Sequence, residues 1–226
     1  MHIVELNKVS KDYKGSTLVT HALQSVDFSV TEGEFVMITG ASGSGKTTLL
    51  YVASGLEEPT EGTVSILEQP IIGKNDKRLT ELRKTQMGFV FQFYNLLPNL
   101  TVFENVILAC VISGNVQTQA VLDALATVGM LDSKDKYPSE LSGGMQQRVA
   151  IARAIVNQPK ILFADEPTGN LDSQNSLQIL ELFQKLNQEF KTTIILVTHN
   201  NDFLPYATRN VLLKDGKIAH DEQIRI

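Results

Sequence analysis

Tryptophan is absent and cysteine occurs once in the 226 residues. A lone Cys110 excludes an internal disulfide and a multi-cysteine metal site. Its setting, Val106-Ile107-Leu108-Ala109-Cys110-Val111-Ile112, reads as a packed helix. Long apolar runs are missing too: nowhere do about 18 apolar residues follow one another. The most hydrophobic stretches, Phe35 to Thr39 and Ile194 to Val197, are strand-sized, so the chain is not expected to span a membrane by itself. Met1 to Lys8 alternates like a strand and lacks the basic segment and apolar run of a secretory signal, which predicts a cytosolic location. Basic residues are in the minority, 20 Lys and Arg against 25 Asp and Glu, leaving no surplus to neutralise a phosphate backbone. Nucleic acid is therefore not an expected partner. With 42% hydrophobic residues and a net charge of -5, what remains is an ordinary globular composition, long enough for one large domain or a core with an inserted subdomain.

The first part of the chain reads as short strands between turns. Phe28-Ser29-Val30 and Phe35-Val36-Met37-Ile38 flank Thr31-Glu32-Gly33, and Thr63-Val64-Ser65-Ile66 follows Pro59-Thr60-Glu61-Gly62; antiparallel pairing is expected there. Later the strands become continuous apolar runs, Ile161 to Ala164 and Thr193 to Val197. Between them, Gln174 to Asn187 carries Leu177, Leu180, Phe183 and Leu186 at helical spacing, which predicts a βαβ unit in a parallel sheet. Thr118 to Gly129, with Val121, Leu122, Leu125 and Val128 on one face, predicts an amphipathic helix in a largely helical middle region. Lys214-Asp215-Gly216-Lys217 between two apolar stretches is a hairpin signal.

Chemistry enters at Gly40-Ala41-Ser42-Gly43-Ser44-Gly45-Lys46-Thr47, a P-loop pattern that follows a predicted strand and opens into the helix-like Thr48-Leu49-Leu50-Tyr51-Val52. In such a loop the backbone N–H groups face phosphate oxygens and the helix start adds partial positive charge. Lys46 would neutralise the β/γ end and Thr47 would ligate Mg²⁺. Downstream, the apolar run Ile161 to Ala164 ends in Asp165-Glu166-Pro167. A carboxylate pair at the C-terminal end of a buried parallel strand lies where ligands dock in open α/β sheets. Because neighbours along a strand point to opposite sides, the two acids are expected to differ in role. Asp165 suits the Mg²⁺ shell and Glu166 the attacking water. Without the P-loop, the pair reads equally well as a turn before Pro167. A second glycine-flanked helix start, Leu141-Ser142-Gly143-Gly144-Met145-Gln146, places Ser142 as N-cap of the run Gln147 to Ile155. In isolation it is only a cap; beside a P-loop it suggests a nucleotide site with two sides.

The order of these pieces resembles the ATP-binding cassette family over essentially all 226 residues. The resemblance implies an α/β fold: a P-loop nucleotide-binding domain with a RecA-like parallel-sheet core, an N-terminal antiparallel β subdomain and an inserted α-helical subdomain. In domain terms it implies one unit over 1–226, with the catalytic core at about 1–92 and 156–226 and the helical subdomain with the signature at 93–155. It assigns Leu141 to Gln146 to the signature that meets the ATP of a partner protomer. Gln92 falls in the glutamine loop, Asn170-Leu171-Asp172 in the dimer-facing loop, and His199 takes the place of the switch histidine. Tyr13 matches the position whose ring stacks on adenine; read alone, it is equally an exposed loop aromatic. Gln92 offers an oxygen to Mg²⁺ or the lytic water. Glu166, His199, Lys46 and Gln92 are thus the catalytic candidates, with Thr47, Gln92 and Asp165 at the metal. One departure stands out: Met145 replaces the glutamine usual at the fifth signature position, and Gln146 is a candidate to compensate.

By the same resemblance the chain is an Mg²⁺-dependent ATPase whose ATP-driven homodimerisation moves a separate membrane permease. The wording Thr101-Val102-Phe103-Glu104-Asn105-Val106 and Pro167-Thr168-Gly169-Asn170-Leu171-Asp172 is similar to the branch of lipoprotein-releasing, macrolide-export and FtsE-type cassettes, which work with FtsX/MacB-like permeases. That implies a peripheral place on the inner face of the cell membrane. Phe93-Tyr94-Asn95-Leu96-Leu97-Pro98-Asn99-Leu100 is the candidate docking loop, its apolar residues otherwise packing inside the helical subdomain. The competing class is a soluble cassette acting on DNA or ribosomes. A P-loop kinase gives no reason for Ser142-Gly143-Gly144.

Overall fold

The computed structural model describes residues 1–15, 18–71 and 77–224. In chain order the elements begin β1 (His2–Lys14), β2 (Val19–Thr31), β3 (Phe35–Thr39), α1 (Lys46–Ala53), β4 (Glu61–Ile66), β5 (Gln69–Pro70), α2 (Lys77–Thr85) and β6 (Met87–Phe91). They continue with α3 (Val102–Ser113), α4 (Thr118–Thr127), α5 (Gly143–Ile155), β7 (Ile161–Asp165), α6 (Ser173–Phe190), β8 (Thr193–Val197), β9 (Arg209–Lys214) and β10 (Lys217–Gln223). Two compact units result, Met1–Leu79 with Thr193–Ile226, and Thr80–Thr192, so β6 and β7 group with α3, α4, α5 and α6.

In the first unit, β1 lies between β2 and β4 in an antiparallel sheet that β5 extends. Val4 and Leu6 are buried, and Val9 would fall on the opposite face by strict alternation. A register shift between Leu6 and Val9, with Lys8 at φ 48, returns Val9 to the core. The expected antiparallel pairing holds for β2 and β4, but β3 departs from it. Instead of folding back on β2 it pairs in parallel with β8 and with β9. The cause is composition: all five residues of β3 are buried, and a strand covered on both faces needs neighbours on both sides. β9 and β10 form the predicted hairpin, turning at Asp215 and Gly216, whose φ values of 47 and 73 suit a two-residue turn.

In the second unit, β6 and β7 run parallel in the register Met87↔Ile161 through Phe91↔Asp165. Gln92 and Glu166 are therefore the next residues after paired strand ends. On α4, Val121 and Leu125 are buried, as is Val128 at its C-cap. On α6, Leu180, Phe183 and Leu186 are buried, but Leu177 is exposed. Residues spaced by three drift about 60° per step around a helix of 3.6 residues per turn. The stripe that is buried runs through Ser176, Ile179, Leu180, Phe183, Leu186 and Asn187 instead. Cys110 is buried on α3, and that burial pushes its thiol pKa up, as expected of a packing residue. Among the described residues no helix is long and apolar enough to cross a membrane.

Candidate functional site

The phosphate cradle lies between β3 and α1, with Gly45 as the N-cap of α1 at φ 100. A Cβ at Gly45 would come within 2.4 Å of the Ala22 carbonyl oxygen, so glycine is required by both conformation and space. This close turn leaves the first N–H groups of α1 without a side-chain cap. Lys46 is only 7% exposed, yet no carboxylate pairs with it among the described residues. Its Nζ donates to the carbonyls of Gly40 and Ala41, each at 2.9 Å. The Ser44 hydroxyl is buried with no hydrogen-bond partner among the described residues. A buried cation held by carbonyls, an orphaned hydroxyl and a bare helix start together fit an incoming polyphosphate, since each lacks the anion that burial demands. Ala41, Ser42 and Gly43 line the exposed outer side of the loop, Thr47 is exposed, and Thr48 is half-buried.

Two further candidates belong to the same unit. Tyr13 sits near the end of β1 rather than in a loop, and its hydroxyl donates to Glu57 Oε2 at 2.7 Å. Partial burial, then the Glu57 carboxylate, push its pKa up. His199 is exposed, two residues beyond β8; between them Thr198 is buried and its N–H extends the pairing to the Ile38 carbonyl at 3.1 Å.

In the second unit Asp165 is the last residue of β7, whereas Glu166 has already left the strand in a left-handed conformation, φ 46. The different settings of the two acids come from this turn rather than from strand alternation. A non-glycine residue held there stores strain of about 1–3 kcal/mol, which is typical of functional turns. The turn is closed by the Gly169 N–H donating to the Glu166 carbonyl at 3.0 Å. Gln92 and Asn170, assigned to separate loops by resemblance, are brought into contact here.

Ser142 caps α5 as the sequence predicts, its Oγ accepting from the Met145 N–H at 3.4 Å, and it is exposed. Leu141 is buried behind it. A Cβ at Gly144 would lie 2.4 Å from Asn175 Oδ1, so the bare glycine at the start of α5 makes room for the Asn175 side chain at the start of α6. Asp172 caps α6: its Oδ1 accepts from the Asn175 N–H at 2.8 Å and its Oδ2 from Asn175 Nδ2 at 2.7 Å. These two donors hold the Asp172 carboxyl below the usual carboxylate range. Leu171, between Asn170 and Asp172, is half-buried. Gln146 turns its Nε2 back to the Leu141 carbonyl at 3.2 Å, an engagement local to the signature turn.

Sequence reasoning missed the residues that hold the loop after Gln92. Arg153 on α5 donates to the carbonyls of Asn95 at 2.6 Å and Tyr94 at 2.9 Å, and burial lowers its pKa. Fully buried Asn105 accepts from the Leu97 N–H at 2.7 Å and donates to the Leu97, Leu100 and Thr101 carbonyls. Gln147, also buried, reaches the Phe91 carbonyl at 3.4 Å. Held in this way, the loop leaves Phe93 69% exposed and Leu97 43% exposed. An Asn inside an apolar helix and an Arg in a run of alanines were the available signals.

Comparison with known proteins follows the same lines. The family model described as "ABC transporter" matches residues 23–169. The lipoprotein-releasing system ATP-binding protein LolD 1 of Chlorobium chlorochromatii is 42% identical over 99% of this chain and 93% of its own length. The macrolide export ATP-binding/permease protein MacB of Chlorobium phaeobacteroides is 44% identical over 98% of this chain but only 34% of that longer protein. The dimeric structure of a post-hydrolysis state of the ATP-binding cassette MJ0796, from Methanocaldococcus jannaschii, bound to ADP and Pi, superposes with a TM-score of 0.89 at 40% identity, covering 99% of both chains. These relatives support a transporter role and not the DNA or ribosome alternative. The chain belongs to the ABC transporter family and is an ATP-binding, ATP-hydrolysing subunit of that family.

Proposed function

We propose that two copies of this chain close on ATP and that closure and reopening drive a separate FtsX/MacB-like permease at the inner face of the cell membrane, in export, extraction, or lipoprotein or antimicrobial-peptide handling. The carrying observation is the bare cradle around Lys46, a buried cation with an unpartnered Ser44 hydroxyl beside it. The Gly40–Thr48 loop and Lys46 bind the β/γ phosphates, and Tyr13 takes the adenine on its ring. Mg²⁺, bound with the nucleotide, neutralises charge on the phosphate oxygens. Thr47, Asp165 and Gln92 supply oxygens toward it. Glu166 polarises the attacking water, and His199 holds the γ-phosphate end by hydrogen bonding.

Exposure of Ser142 at the start of α5 supports the two-copy reading, because this helix start is open to a second triphosphate. Gly143, Gly144 and the neighbouring signature residues would meet the partner's nucleotide, while Asn170, Leu171 and Asp172 face the partner. Phe93 and Leu97, apolar and held outward, suit a permease's cytoplasmic helix. Purification of the full chain from detergent-solubilised membranes tests this reading. Retention of a permease, lost in Phe93→Asp, is the expected result. Salt-sensitive retention of nucleic acid without a membrane subunit would contradict it.

A further inference from the structure

The side chain of Gln92 is fixed end for end by Asn170. Asn170 Nδ2 donates to the Gln92 backbone carbonyl at 3.0 Å. Only the nitrogen of a carboxamide can donate to a carbonyl, so Asn170 must turn its Oδ1 the other way. That Oδ1 accepts from Gln92 Nε2 at 3.3 Å. The second contact settles the Gln92 amide in turn: its nitrogen is spent on Asn170, and Oε1, the atom able to ligate a cation or accept from water, is presented on the opposite side. Gly169 completes the fit. A Cβ there would stand 2.9 Å from Gln92 Nε2 and 3.1 Å from its Cδ, so the carboxamide packs closely against the bare glycine. The Gly169 N–H meanwhile holds the Glu166 carbonyl at 3.0 Å, so the same short turn carries Glu166 and orients Gln92.

We infer that Asn170, with Gly169 beneath it, is a positioning residue for Gln92: it holds the carboxamide with Oε1 outward before magnesium nucleotide arrives. The inference rests on the reading of Gln92 as an oxygen donor to Mg²⁺ or the lytic water. It gives Asn170 a task within its own protomer in addition to facing a partner. Gly169→Ala displaces the end of a flexible side chain rather than backbone, so this variant keeps the fold and perturbs only the carboxamide.

Two measurements test it. In the nucleotide-free full chain, the side-chain amide resonance of Gln92, identified by its loss in Gln92→Ala, should shift in Asn170→Ala and in Gly169→Ala, and its protons should exchange with water faster. In ATP turnover, the magnesium concentration at half-maximal rate should rise about tenfold in each variant, the size expected when a metal ligand loses its supporting partner. Asn170→Ala should add nothing further in a Gln92→Ala background, because the two residues act through one atom. An unmoved amide resonance, or a full additional shift from Asn170→Ala on top of Gln92→Ala, overturns the positioning role alone. An unchanged magnesium requirement in Gln92→Ala itself overturns the reading of Gln92, and the inference falls with it.

Discussion

The ammonium of Lys11 lies 5.1 Å from the centre of the Tyr13 ring and also pairs with Glu57 Oε2 at 3.2 Å, the oxygen that accepts the Tyr13 hydroxyl. The ring is thereby pinned at its tip and covered by a cation on one face, which leaves the other face for a base. Tyr13→Ala should weaken ATP binding by about 1–3 kcal/mol, the usual worth of a base on an aromatic ring. Tyr13→Phe, which keeps the ring and loses only the tether, should weaken it far less. Calorimetric titration of both variants checks this, and equal affinity in wild type and Tyr13→Ala removes the stacking role.

Asn105, on α3, makes four side-chain hydrogen bonds to the end of the loop that follows Gln92. Asn105→Ala strands the Leu97 N–H and the Leu100 carbonyl, whereas the Leu97 and Thr101 carbonyls keep the backbone N–H groups of Leu100 and of residue 105. A loss of about 2–3 kcal/mol in urea unfolding is expected for buried groups left unsatisfied. The fall should be accompanied by faster amide exchange across 94–100, since Arg153 then holds that stretch at Tyr94 and Asn95 and the Thr101–Glu104 cap holds only its end.

Acid should act on the α6 cap. Asp172 has a depressed pKa in the folded chain, so its stabilising effect is fully present above the unfolded carboxyl value of about 4 and is lost as pH falls through the folded value. Asp172→Asn keeps a capping oxygen and removes the titration. Its stability should be lower than wild type at neutral pH and converge with it as pH falls through the folded value of Asp172. Parallel curves for the two proteins throughout the acid range would mean that another group carries the acid sensitivity.

The P-loop was legible because its spacing and its strand-to-helix context agree, and the buried strands because β3, β7 and β8 read as unbroken apolar runs. The caps at Ser142 and Asp172 illustrate the difference between a local signal and a tertiary one. Ser142 before two glycines announces a helix start, whereas Asp172 was read only as part of a partner-facing loop although it caps α6. Beyond the βαβ unit, pairing that depends on distant residues escaped sequence reasoning. Nothing in Thr31-Glu32-Gly33 says that β3 leaves β2 for β8 and β9, and nothing local says that Gln92 meets Asn170, 78 residues away. Backbone strain is equally silent: glutamate at φ 46 after β7 is imposed by the turn that Gly169 closes.

The direct test of ATP-driven pairing is the Glu166→Gln variant run on a sizing column with and without ATP and magnesium, with its turnover measured in parallel. Replacing the carboxylate leaves the Lys46 cradle intact and removes the group proposed to activate water, so turnover should fall by about 10²–10⁴-fold. The variant should elute as a dimer with ATP and as a monomer without it. A monomer under both conditions despite saturating ATP, or hydrolysis at the wild-type rate, would contradict the two-copy mechanism and the role of Glu166 respectively.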